Sequence, residues 1–137
     1  MKPHRKPTKP INVSEITKKA VEVILKTDKD HNVMAILLFG SHADGTAIWR
    51  SDIDICLVLQ ETPSMQQATQ LRIGIAAELP DFVDIQIFNV LPQKIQKSIA
   101  DNHKVIFKSA SFDDFTFTLG TQKMFFESKR KMSALNV

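Results

Sequence analysis

The chain has 137 residues, 43% hydrophobic and 24% charged, with a net charge of +3. That is the size and balance of one soluble domain able to bury a core without disulfides or a structural metal. No apolar run approaches the roughly 18 residues of a membrane span, the first ten residues contain no signal-peptide core, and the lone Cys56 cannot form an internal bridge, so a cytoplasmic protein with no membrane partner is expected.

Residues 1–12 form a basic, proline-rich tail. Lys2, Arg5, Lys6 and Lys9 share its first ten positions with three prolines. The composition predicts a solvated, disordered segment; a contact arm for an acidic partner is the alternative. Without those four cations the chain is close to neutral, so its charge does not argue for nucleic acid.

Ser14 reads as a helix N-cap, followed by Ile16, Ala20, Val21, Ile24 and Leu25 at helical spacing. A polar loop over 26–32 leads to Val33–Phe39, a continuous apolar run that suits a buried strand. Residues 40–45 (GSHADG) read as a turn. Ile53–Leu59 is a second strand. Ser64 and Gln67 have capping-box spacing at the start of a second helix, which runs to about Leu79 and is closed by Pro80. Phe82–Phe88 is a third strand. Pro92 opens a third helix that fades near Asn102, and Val105–Phe107 is a short fourth strand. From Ser111 the phenylalanine spacing favours a helix capped by Ser111 and Asp114, although the alternation over 115–118 also permits a strand. Strands alternating with helices indicate an α/β (α+β) domain over 13–110, a small mixed sheet flanked by helices, with a C-terminal helical extension over 111–137.

The chemistry is concentrated between residues 38 and 59. Alternation on a strand places Asp52 and Asp54 on one face and Ile53, Ile55 and Leu57 on the other. Two carboxylates two residues apart repel each other, and aspartate is a poor strand former. A divalent cation removes both penalties, and hard oxygen ligands suit Mg²⁺. The bland reading is that both are solvated at a strand start. Asp84 shifts that balance, because it interrupts an apolar strand pattern and shares a face with Gln86. If its strand lies beside the Asp52–Asp54 strand, the three carboxylates converge, and such a set can hold two metals about 3.5 to 4 Å apart. The Gly40-Ser41 turn and Gly45 offer backbone N–H groups to a phosphate.

Gly40-Ser41-x-Ala43-x-Gly45, five further residues and Ser51-Asp52-Ile53-Asp54 resemble the signature of the DNA polymerase beta-like nucleotidyltransferases. The chain most resembles their minimal group (MNT or MntA-like), small antitoxin partners of HEPN toxins. Val83-Asp84, Leu91-Pro92 and Val105-Ile106-Phe107 follow the same plan, so the resemblance covers about residues 33–108. It implies a nucleotidyltransferase fold and transfer of a nucleoside monophosphate, AMP from ATP, to a hydroxyl, with release of pyrophosphate. By the same resemblance Asp52, Asp54 and Asp84 are catalytic and hold Mg²⁺ (two ions, with Mn²⁺ able to substitute), and Asp84 deprotonates the acceptor. Gly40, Ser41, Gly45 and Ser51 bind the nucleotide. The acceptor it implies is a tyrosine of a helical HEPN partner, in a type VII-like antitoxin role.

Position 44 is commonly Arg or Lys in the family; here it is Asp44, which should repel the triphosphate. His42 or Arg50 could compensate. Asp44 favours a second reading, a catalytically weak binding module that neutralises a helical partner. A third reading is a small-molecule enzyme working as a homodimer. Cys56 reads as a small buried hydrophobe, and His31 and His103 as exposed. Trp49 reads as packed on the domain or stacked on a base, and the C-terminal phenylalanines as a core cover or a partner surface.

Overall fold

A computed structural model describes residues 5–135. Five helices and four strands follow in chain order: α1 (Val13–Thr27), β1 (Val33–Phe39), α2 (Ser41–Asp44), β2 (Ile53–Leu59), α3 (Met65–Ala76), β3 (Val83–Ile87), a 3₁₀ turn (Phe88–Val90), α4 (Gln93–Asp101), β4 (Lys104–Lys108) and α5 (Asp114–Leu135). The sheet order is β3-β2-β1-β4. β1 runs antiparallel to β2 and β4, whereas β2 and β3 are parallel, joined by the α3 crossover. The fold is the mixed α/β arrangement expected.

Alternation along the strands builds two cores, one on each face of the sheet. One gathers Ile36, Leu38, Ile53, Ile55 and Leu57 beneath Ala20 and Ile24 of α1 and Ala68 and Ile75 of α3. The other gathers Ala35, Leu37, Cys56 and Val58 with Phe88, Ile99 of α4 and Phe112. Asp54 belongs to this second face, because residues two apart on a strand point the same way. Cys56 is fully buried as expected, and burial pushes its thiol pKa well up.

Local chemistry sets the helix ends, and three differ from expectation. The α1 N-cap is Asn12, whose side chain accepts from the Glu15 N–H at 3.2 Å; Ser14 lies inside the first turn. Both residue types cap well, and the helix starts at the earlier one. The Ser64–Gln67 capping box forms as expected, but α3 ends at Ala76, with hydrogen-bonded turns carrying the chain to Leu79. At α5, Asp113 rather than Ser111 or Asp114 caps the helix, accepting from the Thr116 N–H and hydroxyl at 2.9 and 2.6 Å. Asp114 is engaged elsewhere, with His103. Residues 111–135 form a turn and a helix, not a strand.

His103 is not exposed. Its side chain is only 5% accessible, with Nε2 2.6 Å from Asp114 Oδ1 and Nδ1 2.8 Å from the Ile99 carbonyl. His31 is exposed and takes the left-handed conformation at φ +53°. Of the N-terminal segment, residues 5–12 carry no helix or strand, yet Pro7 is buried and Ile11 packs on the first core. Lys2 lies outside the described residues.

Candidate active site

β1 delivers the chain to Gly40, where the backbone turns at φ +72° and ψ −152°. Only glycine takes that conformation without strain. It also has a second reason to be glycine: a Cβ added there would lie 2.3 Å from Asp54 Oδ2. The backbone of the loop therefore sits directly against the Asp54 carboxylate. Ser41–Asp44 forms one helical turn, closed by Gly45 in the left-handed conformation at φ +82°. From sequence this stretch reads as a plain turn. It is too short to show helical periodicity, and the N–H groups of Ala43 and Asp44 are satisfied by the Gly40 carbonyl.

Strand register then assembles the carboxylates. Phe39 of β1 faces Asp54 of β2, and Asp54 faces Asp84 of β3 across the parallel pair. Asp52 stands two residues before Asp54, just ahead of β2. Asp52, Asp54 and Asp84 are all partly exposed, whereas Ile53, Ile55, Val83 and Ile85 between and beside them are buried. The two strands thus present acids at one end of a face whose other end is closed by the second core. The Asp84 strand does lie beside the Asp52–Asp54 strand, but among the described residues the three carboxylates do not come together into a metal-holding group.

Asp84 is turned toward Gln86, whose Nε2 donates to both its oxygens at 3.3 and 3.0 Å. Among the described residues, no three His, Cys, Asp or Glu side chains stand in an arrangement that could hold a metal ion. The donor set is all hard oxygen, which matches Mg²⁺ or Mn²⁺. The residues thus fit a hard divalent cation in kind, while Asp84, turned to Gln86, does not converge with the other two carboxylates as placed.

The 41–51 loop is tied across its base. Ser51 Oγ accepts from the Ile48 N–H at 2.9 Å, the Ser51 N–H donates to the Ile48 carbonyl, and His42 Nε2 lies 3.4 Å from the Ser51 carbonyl. Ser51, expected to bind nucleotide, thus has its hydroxyl engaged within the loop. Asp44 accepts from both the Thr46 N–H, at 2.9 Å, and the Thr46 hydroxyl, which hold its carboxyl below the usual range. It is an exposed turn residue. Trp49 packs on no core; it is 49% exposed, with the Arg50 guanidinium 5.5 Å above its ring. Sequence reading missed Gln86 as a partner for Asp84, although the i, i+2 spacing on one strand face was the signal.

The sequence profile described as "Polymerase beta, Nucleotidyltransferase" matches residues 19–111. The "Putative protein adenylyltransferase" of Methanocaldococcus jannaschii is 45% identical over 75 residues, which are 55% of this chain and 56% of that protein. The match thus spans about half the length of that relative. A crystal structure of a toxin–antitoxin with AMP-PNP superposes with a TM-score of 0.66 at 22% identity, over 86% of this chain and 94% of that one. A structure of a tri-AMPylated Shewanella oneidensis HEPN toxin in complex with MNT antitoxin gives 0.66 at 20% identity, over 90% and 95%. At such identities the superpositions establish a shared fold.

Proposed function

Because the chain belongs to the polymerase beta nucleotidyltransferase family, we propose that it transfers AMP from ATP to a protein hydroxyl, a tyrosine of a HEPN toxin partner, and so acts as an antitoxin. The observation that carries this reading is the register pairing of Asp54 with Asp84, with Gly40 pressed against Asp54. Carboxylates and a glycine loop are the parts that in-line displacement at phosphorus requires.

In this reading Gly40, Ser41 and Gly45 hold the triphosphate, with Ser51 securing the loop that carries them. Asp52, Asp54 and Asp84 would hold Mg²⁺, or Mn²⁺ in its place, which when bound neutralises charge on the phosphates. Asp84 takes the proton of the acceptor hydroxyl. The acceptor oxygen bonds to the α-phosphorus, the bond to the bridging oxygen breaks, and pyrophosphate leaves. The relative named as a protein adenylyltransferase supports a protein acceptor, and the HEPN–MNT complex supports the kind of partner.

The binding-module reading rested on Asp44. Its carboxylate accepts from Thr46 and so serves the turn, while keeping its negative charge. Intact-mass analysis of the partner after co-expression tests the proposal. A gain of AMP is expected, removed by Asp54→Asn; a gain of phosphate, or no gain, overturns it.

A further inference from the structure

We propose that Gln86 is a positioning residue for Asp84, an inference that rests on the nucleotidyl-transfer reading above. Residues 84 and 86 share a face of β3, and Gln86 Nε2 reaches both oxygens of the carboxylate at 3.3 and 3.0 Å. An ionised carboxylate only accepts, so the amide must present its NH₂ group there. The neighbour of Gln86 across the parallel pair is Cys56, fully buried, and the neighbour of Asp84 is Asp54, a like charge. Gln86 thus stands between the apolar core and the acids, at the last register position before the core closes.

Two consequences follow from that placement. The amide dipole offsets the repulsion that Asp54 exerts on Asp84 in the metal-free protein. It also fixes the carboxylate without using it up. Each oxygen carries two lone pairs, and one donor on each leaves capacity for a cation or for the acceptor proton. When Asp84 swings toward Asp54, one oxygen can leave while the amide keeps the other. Gln86 touches neither substrate nor metal in this role; it sets where Asp84 points.

The test uses Gln86→Leu, Asp84→Asn and the double variant, assayed for AMP transfer to the co-purified partner. Gln86→Leu is expected to lower kcat about tenfold, with KM for ATP within about threefold. In the Asp84→Asn background it should cause no further loss. The NMR signal of the Gln86 side-chain amide, in metal-free protein, should move in Asp84→Asn. Equal kcat losses in both backgrounds, or an unmoved amide signal, would each overturn the proposal. If wild type transfers nothing to the partner, the transfer reading fails, and the amide signal still decides whether Gln86 holds Asp84.

Discussion

At the scale of single residues, Gly40 is the most constrained position in the site. Gly40→Ala adds a Cβ 2.3 Å from Asp54 Oδ2 at a φ of +72°. The two penalties together should destabilise the domain by about 1–3 kcal/mol. They should also displace Asp54, so activity falls more than stability does. Thermal melts beside transfer assays check this, and an active, fully stable Gly40→Ala would refute it. Asp44 makes the opposite case. The Thr46 hydroxyl and N–H hold its carboxyl below the usual range. A carboxylate with a depressed folded pKa supports the folded state above its unfolded pKa and loses that support as pH falls through the folded one. Asp113, held down the same way by Thr116, follows the same rule. Asp113→Ala should therefore lower the melting temperature by a few degrees at pH 7, and the gap to wild type should narrow as pH drops below about 4. A gap that is constant with pH would mean that the cap does not depend on charge.

At the scale of elements, α5 shows two different sides. Phe117 packs against Phe88 and Phe112, with ring centroids 4.8 and 5.3 Å away. Phe115, Leu119 and Phe126 fall at spacings of four and seven, on a separate stripe, and are 73%, 49% and 51% exposed. Phe117→Ala should cost about 2–4 kcal/mol, while Phe115→Ser should stay within about 0.5 kcal/mol of wild type. Denaturant melts compare them; equal costs would show that the outer stripe is packed after all. His103, buried between Ile99 and Asp114, fastens the first turn of this helix to the end of α4.

The elements were largely legible because their signals are local. Val33–Phe39 and Ile53–Leu59 are apolar runs of strand length, and Ser64–Gln67 is a complete capping box. The misses needed contacts far along the chain or competition between equals. Asn12 and Ser14 are both capping residues, and only the packing of α1 chooses between them. His103 looked exposed because its partner, Asp114, comes from the first turn of α5, beyond β4. The acids at 52, 54 and 84 were legible as charges where apolar residues belong. That Ser51 accepts from the Ile48 N–H within the loop depends on how that loop turns, which its sequence does not spell out, whereas the Gln86–Asp84 contact was open to view in their i, i+2 spacing.

At the scale of the whole molecule, the sheet has two edges, and each is defended. On β3 the Arg72 Nε donates to the Ile85 carbonyl at 2.9 Å, occupying an acceptor that another strand would use. On β4 the exposed Lys104 and Lys108 bracket the strand. Cations and occupied acceptors discourage edge-to-edge pairing. Arg72→Ala should therefore raise aggregation on mild heating more than it lowers the melting temperature, as light scattering would show; unchanged scattering would remove this role. We propose that residues 111–135 belong to the same folding unit as 13–110, since Phe112 is buried in the second core. A chain ending at residue 110 would uncover Phe88 and Val58.

The pairing of Asp54 with Asp84 has a kinetic side. β2 and β3 are parallel, so their acids meet only after the α3 crossover has been laid across the sheet. Parallel pairings across a long connection close late, since chain entropy is lost before contacts repay it. A chain that has formed only the β1–β2 hairpin has Asp54 and the 40–45 loop but not Asp84. On the proposed reading, Mg²⁺ and ATP added during refolding should leave the folding rate unchanged and slow unfolding instead, because they would bind only the native state. On the proposed reading, a newly made molecule would acquire its transfer activity only once β3 has paired with β2.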